Sequence, residues 1–416
     1  MSRSPLPERI ASLRITAYTA TCAAGRGREA IAAALAARRS GLVANTLTSQ
    51  PLACYIGRVA GLEDAPLPAE FSAYDARNQR LGWLGLQQDD FIAHASSARE
   101  RYGADRVAVV LGTSTSSIGE TELAYRTLGA DGRFTAGQRE KRVHEPHSLS
   151  AFVQRALELR GPCLTVATAC SSSAKVFASA ERLLHAGLAD AVVVGGVDTL
   201  CDSVLFGFNS LGLVSPEPCR PFDRDRSGLS IGEAAGYALL ERTRQAGASS
   251  ASTDRLHLIG YGESSDAHHM SSPHPQGKGA ENAIDDALIR AGLDAGQVDY
   301  INCHGTASRA NDEVEAALVT RRFPARTRAS STKGWTGHTL GAAGILEAVI
   351  TLISLEDGVI PGCLNTRVLD PACGPQFALD NERFPIDRGT RRVALSSSFG
   401  FGGNNCCLAF ACESVA

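Results

Sequence analysis

The sequence predicts a layered α/β protein assembled from two halves of similar layout. Two observations carry that expectation. Short β-branched runs alternate with helix-like runs along the whole chain, as they do where helices cover a sheet. The series then restarts beyond a small polar stretch, "TRQAGASSAST" at 243–253, which has no periodicity and reads as a linker. That stretch divides an N-terminal half, 1–250, from a C-terminal half, 251–416.

In the first half, strands are expected at "LRITAYTA" (13–20), "DRVAVVLG" (105–112), "CLTVAT" (163–168) and "DAVVVGG" (190–196). Helical patterns lie between them at 26–38 and 171–186. In the latter, Val176, Ala180, Leu183 and Leu184 share one face, and Gly187 is placed to end the helix. The second half opens with strand "LHLIGYG" (256–262), a helix at 279–292 and strand "VDYINC" (298–303). Helices at 311–322 and 340–356 follow, and strands "RRVALSSS" and "NCCLAFA" close the series.

Bulk properties narrow the function. A net charge of −3 with scattered basic residues gives no reason to expect nucleic acid or an anionic membrane as partner. The most apolar helix candidate, 340–358, carries Glu347 and is too short to span a bilayer. The first fifteen residues have no uninterrupted apolar core of a secretory signal. Twelve cysteines are sparse in 416 residues, and neither a CxxC pair nor a Cys/His cluster at zinc spacing occurs. The expectation is a cytoplasmic protein with reduced thiols and no metal. Only four of 41 basic residues are lysines: Lys141, Lys175, Lys278 and Lys333. A lysine in this chain therefore has a better than usual chance of serving its own chemistry.

Four stretches carry candidate chemistry. In "TVATACSSSAKVF" (165–177), Cys170 sits where a strand turns into a helix. Helix-end N–H groups there would stabilise a thiolate and could hold an oxyanion, although a buried inert cysteine fits the same pattern. "VDYINCHGTAS" ends a strand on His304, facing either a cleft or the core. "SSTKGWTGHTLGAAG" places Lys333 and His338 on a glycine-punctuated loop entering a helix. "SSSFGFGGNN" sets Gly400, Gly402 and Gly403 around Phe401, as a tight hairpin or as a mobile loop at a site mouth.

In that order and on those elements, these motifs resemble the β-ketoacyl-(acyl-carrier-protein) synthases, the elongating condensing enzymes. "RPFDRDRSGLSIGEAAGYALLE" (220–241) and "GYGESSDAHHMSSPHP" (260–275) extend the resemblance over nearly the whole chain. It implies a thiolase-like layered αβαβα fold and an acyltransferase that needs no bound cofactor, its substrates riding on the phosphopantetheine arm of acyl carrier protein. Cys170 would take the acyl chain, while His304 and His338 donate hydrogen bonds to the malonyl thioester as carbon dioxide leaves. The N–H groups of Cys170 and Phe401 would form the oxyanion hole. Lys333 would pair with Glu315, with Asp312 supporting. Thr306 and Ser308 would bind the arm, and Phe401 and the Asp266–Pro273 loop, with His269, would gate the site together with Gly400, Gly402 and Asn405. The resemblance also implies a homodimer or a heterodimer with a related subunit, with contacts near 112–125 and 160–175.

Some positions depart from the family pattern. "GTSTSSIGETE" (112–122) is rich in hydroxyl residues and looks more like the synthases of aryl polyene pigment pathways. Ser308 and Asn404 stand where threonine is common, and Lys175 is unusual one helical turn after Cys170; a solvated cation and a dimer contact both fit it. Cys406 and Cys407 follow the glycine turn inside a strand and read as core. Three rival readings differ in chemistry: a non-catalytic or chain-length-setting partner subunit, which would lack the cysteine; a cysteine hydrolase, which would want an acid to orient one histidine; and a thiolase, which would need a second, basic cysteine.

Overall fold

A computed structural model describes residues 8–243, 255–385 and 391–413. Apart from Thr243, the expected linker lies outside the described residues, and so does the division at 250. The first half supplies strands β1 (Leu13–Cys22), β2 (Val107–Gly112), β3 (Cys163–Val166), β4 (Ala191–Asp198) and β5 (Ala234–Arg242). The second supplies β6 (Leu256–Ser265), β7 (Tyr300–Asn302), β8 (Arg328–Ser330), β9 (Arg391–Gly400) and β10 (Asn404–Glu413).

Hydrogen bonding orders the first set β3-β2-β4-β5-β1 and the second β8-β7-β9-β10-β6, the same order displaced by five. The pairing sense repeats too. β2 runs parallel to β3 and β4, β7 runs parallel to β8 and β9, and the other pairs on this path are antiparallel. The half-sheets join at β1 and β6 through Leu13 opposite Leu258 and Arg14 opposite His257. The two similar halves are thus a repeated topology. β5 is a strand that the periodicity does not single out: "AAGYALLER" is rich in helix formers, but its first eight residues are buried and sheet packing overrides propensity.

Of the helices among the described residues, six mark out the five layers. α1 (Arg77–Leu86) and α2 (Ser148–Ala156) cover the outer face of the first half-sheet, and α4 (Lys278–Ala291) covers that of the second. Between the half-sheets lie α3 (Ser172–His185) and α6 (Ala343–Asp357), packed on each other. α5 (Arg309–Arg322) joins the outer core of the second half through Ala316, Leu318 and Val319. Every residue of α6 from Ala343 to Leu355 is buried, which is why this stretch reads as apolar all round.

The central pair sets the geometry of everything that follows. α3 and α6 each come directly after the third strand of their half, so their N-terminal approaches are equivalent in the repeat. A Cβ at Gly344 would lie 2.4 Å from the Ala174 nitrogen, so only glycine lets the helices cross this closely. That close crossing explains the small-residue run "GAAG" and draws the segments before both helices to one place. As expected, Gly187 takes a left-handed φ of 71° just past α3.

Candidate active site

Cys170 lies on a knotted turn between β3 and α3. The Ser172 hydroxyl accepts from the Thr168 N–H at 2.9 Å and donates to the Ala169 carbonyl at 2.6 Å. Ala169 is held at φ 52°, a left-handed conformation that costs a non-glycine residue about 1–3 kcal/mol and persists where surroundings impose it. The thiol that follows is only 5% exposed.

His338 approaches from the segment before α6, and its Nε2 lies 3.0 Å from Cys170 Sγ. Lys333 to Thr336 form a single helical turn ahead of it rather than open loop. His304 follows β7 by two residues, with its ring 5.2 Å from that of His338 and nearly perpendicular at 87°. The donor atoms of Cys170, His304 and His338 all lie within 4.8 Å of one another. One small reacting group can touch all three.

Charge behind the histidines differs from expectation. The Lys333 ammonium pairs with Glu347 of α6, also donates to the His304 carbonyl, and stands 3.4 Å from His304 Nδ1. Glu315 is not its ion-pair partner. Glu315 instead accepts the backbone N–H groups of His304 and Gly305 at 2.8 Å each. One α-helical turn earlier on α5, Asp312 accepts the N–H of Ala307 at 3.1 Å and of Phe222 at 2.7 Å. Both acids therefore clamp the His304–Ser308 loop, where Ala307 is held at φ 68°. Glu347 was missed as a site residue. Its signal was present as the lone carboxylate inside an apolar helix.

The lysine contact fixes proton placement. An ammonium facing His304 Nδ1 leaves the ring proton on Nε2, the nitrogen turned away from it. Burial, and then the Lys333 cation, hold both histidines well below the ordinary value, with His338 adding to the effect on His304. Both rings are neutral near pH 7. Burial also pushes the Cys170 thiol up to about 11, against the pull of Lys333 and of the Phe401 N–H. The helix-end reading expected a lowered thiol; desolvation of the buried sulfur outweighs it.

The glycine turn is a hairpin and a site wall at once. β9 pairs with β10 up to Gly400 opposite Asn404, and Phe401–Gly403 cap the hairpin. The Phe401 N–H points at Cys170 Sγ. A Cβ on Gly400 would sit 3.1 Å from the Cys170 nitrogen and from the Thr168 carbonyl, which explains glycine there. The Asp266–Pro273 loop is tied to this turn: Gly402 N–H donates to Met270 O at 2.7 Å, and Asp266 N–H to Gly403 O at 2.9 Å. Asn405 Nδ2 donates to Asp266 at 2.8 Å.

These elements enclose a cavity of about 410 Å³, open to solvent, with Cys170, His304 and His338 in its wall. Thr306 and Ser308 line it, their hydroxyls 2.9 Å apart. Asp266, Gly400, Phe401, Gly402 and Asn405 line it too. His269 does not. It is exposed, and its Nδ1 accepts the N–H groups of Ser271 and Ser272 at 3.2 Å. Phe208, stacked 5.6 Å from Phe401, lines the cavity outside every motif, and Phe399, 6.0 Å from His304, lines it from within "SSSFGFGGNN" without having been given a role. Cys406 and Cys407 are fully buried in β10, as expected.

A thiol at a strand–helix turn, two neutral histidines and backbone donors in a five-layer repeated fold define a thiolase-like condensing enzyme. Comparison with known proteins agrees. Residues 15–246 match the model for "Beta-ketoacyl synthase, N-terminal domain", and 257–367 that for "Beta-ketoacyl synthase, C-terminal domain". The chain belongs to the β-ketoacyl synthase family and is an acyltransferase. It is 36% identical over 329 residues to Nodulation protein E of Rhizobium sp. (strain N33), covering 78% of this chain and 80% of that protein. It is 32% identical to 3-oxoacyl-[acyl-carrier-protein] synthase 2 of Mycobacterium leprae, covering 74% of each. A structure of the ketosynthase ApeO in complex with its chain length factor ApeC, from Xenorhabdus doucetiae, superposes with a TM-score of 0.84 at 35% identity, covering 99% of this chain and 100% of that one. No helix among the described residues is long and apolar enough to cross a membrane.

Proposed function

We propose that the chain catalyses decarboxylating Claisen condensation of malonyl carrier protein with an acyl group held on Cys170. The convergence of Cys170 Sγ, His338 Nε2 and the His304 ring is the observation that carries this reading. Sγ attacks the acyl thioester of one carrier protein, the C–S bond to the phosphopantetheine thiol breaks, and that thiol leaves with the proton from Cys170. The arm enters along the cavity past Thr306 and Ser308. The malonyl thioester then presents its carbonyl oxygen to Nε2–H of His304 and of His338. As the C–C bond to the carboxylate breaks and carbon dioxide leaves, the electron pair becomes an enolate held by these two donors. The enolate carbon attacks the acyl carbonyl, whose oxyanion is held by the N–H groups of Cys170 and Phe401. Collapse of that intermediate breaks the C–S bond to Cys170 and releases the β-ketoacyl product on its carrier, and the thiolate takes a proton from solvent to restore the thiol.

Two donors and no strong base suit this sequence, since decarboxylation needs charge stabilisation rather than proton abstraction. A partner subunit without activity is disfavoured by the intact set of Cys170, His304 and His338. The hydroxyl-rich 112–122 segment supports elongation in an aryl polyene-type pathway over housekeeping fatty acid synthesis. The ApeO structure, solved with its chain length factor, supports a heterodimer with a related subunit; acyl carrier protein is the transient partner that delivers both substrates. No bound cofactor is required. The test is intact-mass spectrometry after incubation with acyl carrier proteins from short saturated to long polyunsaturated chains. A Cys170-dependent adduct with one preferred donor supports the reading and names the chain. Absence of any adduct, with carrier proteins shown to be competent, overturns it.

A further inference from the structure

Among the described residues, three of the four lysines pair with carboxylates: Lys141 with Glu120, Lys278 with Glu281 and Lys333 with Glu347. Lys175 has no such partner. It is partly buried on α3, one turn past Cys170, and its Nζ donates to Asn404 Oδ1 at 3.5 Å. Asn404 Nδ2 in turn donates to the Phe401 carbonyl at 3.3 Å. Lys175 and Asn404 both depart from the pattern common in the family, and here the two departures touch each other.

The relay has a direction. An ammonium fixes the Asn404 amide with its oxygen toward α3, so that the NH2 faces the turn. The Phe401 carbonyl is then anchored, and the peptide unit before it keeps its N–H on Cys170 Sγ. Gly402 and Gly403 take φ of 74° and 70° and carry no side chain, so the turn is held from outside, by the Gly400–Asn404 pairing at its base, the Phe208 ring stacked on Phe401 and this relay. Two further ties, Gly402 to Met270 and Asp266 to Gly403, run to the 266–273 loop, which is half-buried at Asp266 and exposed at Met270.

We propose that Lys175 is a positioning residue: through Asn404 it holds the Phe401 turn closed over Cys170, with the Phe401 N–H aimed at the sulfur and at the oxyanion that would form there. The catalytic part of this inference rests on the condensing reading; the closure of the turn does not.

The experiment compares Lys175→Met, Lys175→Arg, Asn404→Ala and the Lys175→Met/Asn404→Ala double variant in the full chain. Three readouts are needed: acylation of Cys170 by acyl carrier protein, decarboxylation of malonyl carrier protein, and alkylation of Cys170 by N-ethylmaleimide followed by mass. Lys175→Met is expected to slow acylation about tenfold, as a partly misaimed oxyanion donor would. Decarboxylation, which does not draw on the Phe401 N–H, should hold. Alkylation should rise several-fold as the turn opens. Asn404→Ala should match Lys175→Met, the double variant should be no worse than either, and Lys175→Arg should recover most of the loss. Unchanged alkylation in Lys175→Met and Asn404→Ala, additive effects, or equal losses of acylation and decarboxylation would each overturn the proposal. If wild-type Cys170 accepts no acyl group at all, the condensing reading fails, and alkylation still decides whether Lys175 closes the turn. Should Lys175→Met not fold, Asn404→Ala carries the same comparison.

Discussion

The Lys333 ammonium is paired with Glu347 from the central helix α6, and the pair lies immediately behind His304. Lys333 is 1% exposed and Glu347 3%, so each charge depends on the other. Burial pushes the Glu347 carboxyl up to about 7, with Lys333 pulling it back. Removing one partner of such a pair costs about 3–5 kcal/mol, because an uncompensated charge is left inside. Glu347→Gln is therefore expected to destabilise the protein by that order in denaturant titration and to lower decarboxylation. Glu315→Gln should act differently, through the two N–H groups it holds, costing about 1.5–3 kcal/mol. An unaffected Glu347→Gln beside a crippled Glu315→Gln would restore the pairing that the sequence suggested.

Cys170→Ala should form no acyl adduct while continuing to release carbon dioxide from malonyl carrier protein, since the two histidines remain. His304→Ala and His338→Ala should lose decarboxylation by about 10²–10³-fold, the usual cost of removing an aimed oxyanion donor. Mass spectrometry and carbon dioxide release read the two steps separately. Full condensation by Cys170→Ala would sink the assignment.

The thiol and the histidines make opposite pH predictions from those of an ion-paired site. With the Cys170 thiol at about 11, alkylation by iodoacetamide should rise nearly tenfold per pH unit from 7 to 9 and beyond. A plateau near neutral pH would mean a resting thiolate and would vindicate the helix-end expectation. His304 and His338 are depressed well below 6.5, so their own protonation should not limit decarboxylation near neutral pH; the Glu347 carboxyl, pushed up to about 7, should set the acid limb instead, with activity level above it and falling as Glu347 takes up a proton. Lys333→Met removes the cation that pulls the Glu347 carboxyl back down. The acid limb should then move to higher pH.

Gly400→Ala tests the closeness of the turn to the nucleophile. Its backbone has φ −98°, which alanine can adopt, so the effect should come from space alone. With contacts at 3.1 Å to the Cys170 nitrogen, the turn must give by tenths of an ångström. Acylation should fall about tenfold with little change in melting temperature. Wild-type acylation would show that the Phe401 N–H has slack.

Much of the fold was legible because it is written in local periodicity. The strands around Val107–Gly112 and Ala191–Asp198 are β-branched runs, and α3 declares one apolar face and its Gly187 stop. β5 was not legible, since "AAGYALLER" prefers a helix and becomes a strand only when neighbours bury it. At the site, motif order was enough to nominate Cys170, His304, Lys333 and His338. It was not enough to tell which acid meets Lys333, because Glu315 and Glu347 lie on different helices and only the packing brings Glu347 to the ammonium. His269 stands exposed on its loop and does not line the cavity, a placement that the loop's sequence does not disclose.

The sequence by itself determined the residue types that do chemistry, the turns that carry them and the doubling of the layout. These depend on spacing along the chain and on backbone preferences that neighbouring residues impose. Only the tertiary structure decided how the pieces meet: Cys170 against His338 across the α3–α6 crossing, Glu347 rather than Glu315 on Lys333, Lys175 on Asn404, and a thiol raised rather than lowered. Ion pairing and pKa depend on distance through space and on burial: Cys170 and His338, 168 positions apart, meet only when the two halves pack.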